Sequence, residues 1–188
     1  MKNSSVLINS IYPADSGIKY ILKLIILSAF GSLLLALSSK IQVPFWPVPM
    51  TMQTFMVFII GMTYGFTFSS YTLVSYLMLG AIGLPVFAKG GGILYLTGPT
   101  AGYLYGMAIA AAVIGFLADR GYAKSYLKSL IAIFIGTVII FALGVGYLGS
   151  VIGYDKALAG GLYPFLLSEA FKIALAISIV PTISKLTK

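Results

Sequence analysis

Glu169 and Lys172 stand three residues apart in YPFLLSEAFKIALAISIVPTI (Tyr163 to Ile183), a run with no other charge. On a helix, positions i and i+3 share one face. An ionisable group at the centre of a membrane helix costs about 2.5–3.5 kcal/mol on insertion scales, so two in one apolar run require a use. One use is structural: the two charges neutralise each other and lock the helices together. A second sets them on a cavity open to the outside, with Glu accepting and Lys donating hydrogen bonds to a polar solute. A third makes Glu169 the proton carrier of a coupled transporter of a small carboxylate solute.

Two further segments carry unusual chemistry. Ile41 to Met50 reads IQVPFWPVPM, with three prolines and the only tryptophan of the chain. The prolines fix φ and remove backbone donors, so the segment is expected to lie extended as a strap. Trp46 is then either an interfacial anchor or part of a lid over a ligand. Pro85 to Thr100 reads PVFAKGGGILYLTGPT, where Gly90, Gly91 and Gly92 permit positive φ and close backbone approach. It reads as a flexible surface loop, or as a re-entrant loop lining a cavity. A third connection, Gly149 to Leu162, contains Asp155 and Lys156 and is expected to be an exposed charged turn.

Other motifs fail on context. Gly144 to Gly149 fits GxGxxG but sits in an apolar run with no preceding strand, so the dinucleotide reading is rejected. The sequence holds no GxxxxGK[ST], and any ATP must be hydrolysed by a separate subunit. Cysteine and histidine are absent, which removes disulfides, thiolate metal sites and the commonest general base. Neither an enzyme activity, a metal nor a cofactor is expected.

The elements that must position these residues follow from the charges. The 188 residues are 60% hydrophobic and 9% charged, against about 25% charged in an ordinary soluble domain. An all-α integral membrane protein is expected, a single transmembrane domain over residues 1–188 with a short cytoplasmic leader at 1–19. A crossing needs about 20 residues. Lys40 and Lys89 enclose 48 uncharged residues, room for two crossings with a hairpin break near Thr63 to Phe66. The expected spans are Tyr20 to Ser39, Thr51 to Tyr64, Phe66 to Leu84, Ala101 to Ala118, Leu130 to Leu148 and Tyr163 to Ile183.

Six spans place both termini on one side. That side holds Lys2, Lys19, Lys23, Arg120, Lys124, Lys128, Lys185 and Lys188, the other only Lys40, Lys89 and Lys156. Both termini are expected in the cytoplasm, and the formal charge of +8 reads as a topology signal plus attraction to anionic lipid, with no nucleic acid needed. Lys23 is expected to snorkel to the headgroups, and Asp119 to Lys128 to form a solvated turn. Asn3-Ser4-Ser5 matches a glycosylation sequon but falls in the leader. Small residues at Ser28, Ser32 and Ala36 and at Gly98, Gly102 and Gly106 form ladders for internal packing, or, on the first span, for docking a membrane partner.

The motifs PVPMTMQT (Pro47 to Thr54), GLPVFAKGGG (Gly83 to Gly92), TGPTAGYLYG (Thr97 to Gly106) and the late Glu169/Lys172 pair together resemble the BioY family, the biotin-specific S-components of energy-coupling factor transporters. The resemblance implies a six-helix S-component-like bundle in the cytoplasmic membrane, with a biotin pocket opening outward under the loops after the first and third helices. It implies biotin as ligand, and a transmembrane coupling subunit and two ABC-type ATPases as partners. Carried over, the polar end of the pocket falls on Glu169 and Lys172, beside Gly90, Gly91, Gly92 and Tyr103, with Gln53 from the first motif and apolar walls from Trp46 and Phe87. The family usually has Asp where this chain has Glu169.

Overall fold

The structure is a computed structural model and describes residues 6–8 and 17–186. Lys2, Lys188 and most of the 1–19 leader, with its Asn3 sequon, lie outside the described residues, as does the side chain of Lys185. Within residues 17–186 the helices are α1 (Gly17–Lys40), α2 (Gln53–Ala81), α3 (Ala101–Asp119), α4 (Tyr126–Ile152), α5 (Tyr154–Gly161) and α6 (Phe165–Leu186). Two 3-10 turns, Ile93–Thr97 and Tyr122–Lys124, sit in the connections. The strap begins and ends in a two-residue antiparallel ladder, β1 (Gln42–Val43) against β2 (Met50–Thr51), with Gln42 opposite Thr51.

Among the described residues five helices are long and apolar enough to cross a membrane: α1, α2, α3, α4 and Phe165–Ser184 of α6. The sequence reading expects six separate crossings; in the structure the second and third share α2. Gly65 interrupts α2 at φ 77°, ψ −179°, within the expected break. Gln53 Nε2 donates to the Tyr76 hydroxyl at 2.7 Å, a pair that a straight helix would hold about 34 Å apart at 1.5 Å per residue. The chain therefore doubles back, and residues 53–64 and 66–81 lie side by side. At about 18 and 24 Å, each half is shorter than a hydrocarbon core of about 30 Å.

The reversal needs glycine at its apex for two reasons. Its φ is one that L side chains rarely adopt, and a Cβ there would run into the Asp119 carboxylate. That carboxylate accepts the Phe66 N–H at 2.9 Å, capping the second half of α2 from the end of α3. The expected solvated turn from Asp119 to Lys128 is present, with Asp119, Arg120, Lys124 and Lys128 exposed and Ala123 buried beneath them; just beyond it, Ser129 in the first turn of α4 is buried and its Oγ donates to the Tyr122 carbonyl.

α1 is inside out relative to a water-soluble helix. Ile21, Ile25, Leu33 and Leu37 are exposed, while Ser28, Ser32, Ser38 and Ser39 face the protein. In lipid, apolar side chains gain nothing by hiding, and small polar residues permit close helix contact and interhelical hydrogen bonds. Ser32 Oγ donates to the Thr72 carbonyl at 3.2 Å, so the first-span ladder is internal packing and no outer docking seam. In the other ladder a Cβ at Gly106 would come within 2.9 Å of Ile140 Cα, and Gly102 is equally tight on α4. Lys23 does not snorkel: it is 3% exposed, its ammonium 4.9 Å from the centre of the Phe68 ring. The aromatic face supplies part of what water would have given.

The connection from Gly149 to Leu162 is helix where an exposed turn is expected. α4 runs to Ile152, Gly153 turns the chain at φ 88°, and α5 follows. Asp155 and Lys156 are exposed on α5. Its far end, Gly160, packs against Pro47 of the strap, which leaves no room for a Cβ.

Candidate functional site

α6 presents Glu169 and Lys172 from one face, 3% and 5% exposed, and their ion pair measures 2.6 Å. The first turn of α2 lies opposite. Thr54 Oγ1 donates to Glu169 Oε1 at 2.8 Å and accepts from Lys172 Nζ at 3.1 Å, and Lys172 also donates to the Thr51 carbonyl at 2.7 Å. All three ammonium hydrogens are thereby engaged. Among the described residues Glu169 Oε2 has no hydrogen-bond partner, although it is buried. A buried carboxylate oxygen left unpaired is expensive, which marks it as the atom awaiting a donor.

The pair lines a cavity of about 40 Å³ bounded by the strap, the first turn of α2, the N-terminal half of α3, the middle of α4 and α6. Val48 and Pro49 cover it; Met107, Ile140, Phe141 and Phe165 make its walls apolar; Thr51, Gln53, Thr54, Tyr95, Thr100 and Tyr103 add polar atoms. At about 10–15 Å³ for each water, this is room for a few water molecules. A bicyclic solute with a side chain must spread the lining to enter.

Of the sequence-predicted site residues, the cavity gathers Gln53, Tyr103, Glu169 and Lys172. Gln53 is engaged within the protein: its amide donates to Tyr76, its carbonyl accepts from Thr51 Oγ1 at 3.2 Å, and the Tyr76 hydroxyl passes on to the Val86 carbonyl at 2.9 Å. Tyr103 donates to the Gly161 carbonyl at 2.8 Å and sets its ring edge-on to Phe141.

The other five lie elsewhere. Trp46 is 77% exposed, and its strap neighbours Val48 and Pro49 turn inward in its place. Phe87 is fully buried behind the cavity, packed on Gly80 and on the rings of Tyr76 and Tyr95. Gly90, Gly91 and Gly92 form the turn that carries Phe87: the Phe87 and Gly90 backbones bond to each other, and Gly92 N–H donates to the Gly80 carbonyl at 2.7 Å. Gly90 and Gly92 have φ of 140° and 103°, and a Cβ on Gly91 would meet the Leu84 carbonyl. Gly91 and Lys89 line a neighbouring cavity that shares Pro49, Tyr95 and Thr100 with the first.

Sequence reasoning missed Thr54, Thr51, Val48 and Pro49. All four lie within PVPMTMQT, where nothing in their individual side chains announces a cavity.

Comparison with known proteins agrees with this architecture. Over 156 residues the chain is 38% identical to a protein of Thermotoga maritima named biotin transporter BioY, an alignment covering 81% of this chain and 90% of that one. A probable biotin transporter BioY of Pyrococcus horikoshii is 35% identical over 147 residues, covering 78% of this chain and 86% of the relative. The fold is similar to that of a crystallised S-component for biotin from an ECF-type ABC transporter, with a TM-score of 0.78, 24% identity, and 91% and 95% of the two chains covered. Residues 9–188 match the BioY family, and the chain belongs to it.

Proposed function

We propose that the protein binds biotin in the Glu169/Lys172 cavity and serves as the binding component for its uptake across the cytoplasmic membrane. The observation that carries this reading is the buried, unpartnered Glu169 Oε2. With the ammonium hydrogens engaged, the polar end of the cavity offers an acceptor, and the solute end that fits it is an N–H donor. The ureido ring of biotin has two such donors beside a bicyclic body suited to Phe141, Phe165 and Met107. The names of the relatives in Thermotoga maritima and Pyrococcus horikoshii support biotin as the ligand.

In this reading the two halves of α2 are the second and third of six membrane segments. Both termini are cytoplasmic, and the strap faces outside. A transmembrane coupling subunit and two ABC-type ATPases supply the energy, and the protein itself catalyses no reaction. Binding of labelled biotin to purified protein tests the central point. Saturable binding without ATP is expected in the wild type, and Glu169→Ala weakens it about 10- to 100-fold, as for a lost hydrogen bond to a charged group. Unchanged affinity in Glu169→Ala overturns the assignment of the site.

A further inference from the structure

Four helical threonines return their hydroxyl proton to the carbonyl four residues back. Thr63 donates to Ile59, Thr72 to Phe68, Thr137 to Ile133 and Thr182 to Ser178, at 2.7 to 2.9 Å. Thr54 has no such outlet. It is the second residue of α2, and the carbonyl four back belongs to Met50 in β2, outside the helix. Its proton goes 115 residues along the chain to Glu169 Oε1, and its oxygen takes a hydrogen from Lys172.

The hydroxyl therefore stands between the two charges with both its roles fixed. It occupies Oε1 together with Lys172, which turns the other carboxylate oxygen away from the ammonium and leaves it unpaired. It also takes one of the three ammonium hydrogens that would otherwise be offered to a solute. Without that hydroxyl the carboxylate is free to rotate and meet the ammonium with both oxygens, while one ammonium hydrogen is released. The site would then change from an acceptor of N–H groups into a donor.

We propose that Thr54 is a positioning residue that holds Glu169 with one oxygen presented to the solute, and so sets the preference of the cavity for an N–H-donating ring. This rests on the biotin-binding reading and names the group that gives it selectivity. The residue acts through Glu169 and is not itself assigned a contact with the solute.

The test compares Thr54→Val, which keeps the shape, Thr54→Ala, which removes the hydroxyl with less bulk, and Thr54→Ser, which keeps the hydroxyl. Affinities are read by competition against labelled biotin for biotin itself and for biotin methylated on both ring nitrogens. Thr54→Val and Thr54→Ala are expected to lose about 10- to 100-fold in affinity for biotin, with Thr54→Ser within about threefold of wild type. The methylated probe, which has no ring N–H to give, is expected to bind wild type and variants alike. An equal loss for both probes, or no rescue by serine, shows a merely structural role and overturns the proposal. If wild type binds biotin and the hydroxyl-free variants bind it equally well, the Thr54 assignment alone falls. If wild type binds no biotin, the functional reading falls and this assignment with it.

Discussion

The Lys40 ammonium donates a 2.6 Å hydrogen bond to the Phe87 carbonyl, joining the last residue of α1 to the loop beside the cavity. It does not act alone. The Ser39 hydroxyl, shared with the Ala36 carbonyl at 2.7 Å, reaches the Val86 carbonyl at 2.9 Å, and Gln42 Nε2 donates to the Ala88 carbonyl at 3.3 Å, so three successive carbonyls are held from the end of α1 and the start of the strap. The strap and the glycine loop are latched together, and neither moves without the other unless these bonds break.

Lys40→Met keeps the length of the side chain and removes the donor. Because Lys40 is exposed, water and salt weaken the bond, and about 1 kcal/mol is a fair scale for its loss. Backbone amide exchange at Phe87, Gly90 and Gly92 is expected to accelerate about fivefold, and biotin to dissociate faster by a similar factor. Unaltered exchange at those three amides would show that the latch carries no energy.

The buried ion pair predicts an asymmetry between single and double replacements. Glu169→Leu leaves the Lys172 ammonium with only Thr51 and Thr54 as partners, and Lys172→Met leaves the carboxylate with Thr54 alone. Each single change is expected to cost about 3–5 kcal/mol, whereas the double variant regains most of it, because an apolar pair needs no compensation. Melting temperatures of the four proteins in detergent check this; additive losses would mean that the two residues do not depend on each other.

Gly65→Ala and Gly146→Ala should part company. The first forces a side chain into a positive φ and against Asp119, and a loss of about 1–3 kcal/mol is expected in melting experiments. The second lies inside α4 with nothing within 4 Å of a new Cβ, and is expected to be neutral or stabilising by up to about 1 kcal/mol. Equal behaviour of the two variants would contradict the reversal at Gly65.

Tyr103→Phe keeps the ring against Phe141 but leaves the Gly161 carbonyl without its donor. A buried carbonyl so orphaned costs about 1–3 kcal/mol. The melting temperature is expected to fall while biotin affinity drops less than in Glu169→Ala; the reverse order would make the hydroxyl a ligand contact.

How much of this was readable beforehand depends on what lipid hides. Charge is costly in a bilayer, so the positions of Glu169 and Lys172 and the uncharged runs between lysines carried a strong signal. Rotation of a helix about its own axis carried almost none. Core and lipid are both apolar, so α1 turns Leu35 inward and Leu33 outward with nothing in their chemistry to distinguish them. The same ambiguity concealed that Val48 and Pro49 turn toward the cavity while Trp46 turns away. The burial of Lys23 is not legible in the sequence because the ring it meets, Phe68, arrives only when α2 folds back. Thr54 was invisible for a related reason: its partners lie more than a hundred residues away, and only the absence of an i−4 outlet hinted that its proton must go elsewhere.

The cavity is walled by segments distant in sequence, from Val48 on the strap through Gln53, Tyr103 and Ile140 to Phe165 and Glu169. A solute seated there would be the last piece of the protein interior, touching the strap and four helices at once. Heat resistance and molecular recognition then become one quantity: a candidate molecule can be ranked by how many degrees it adds to the melting point, with no label and no transport assay.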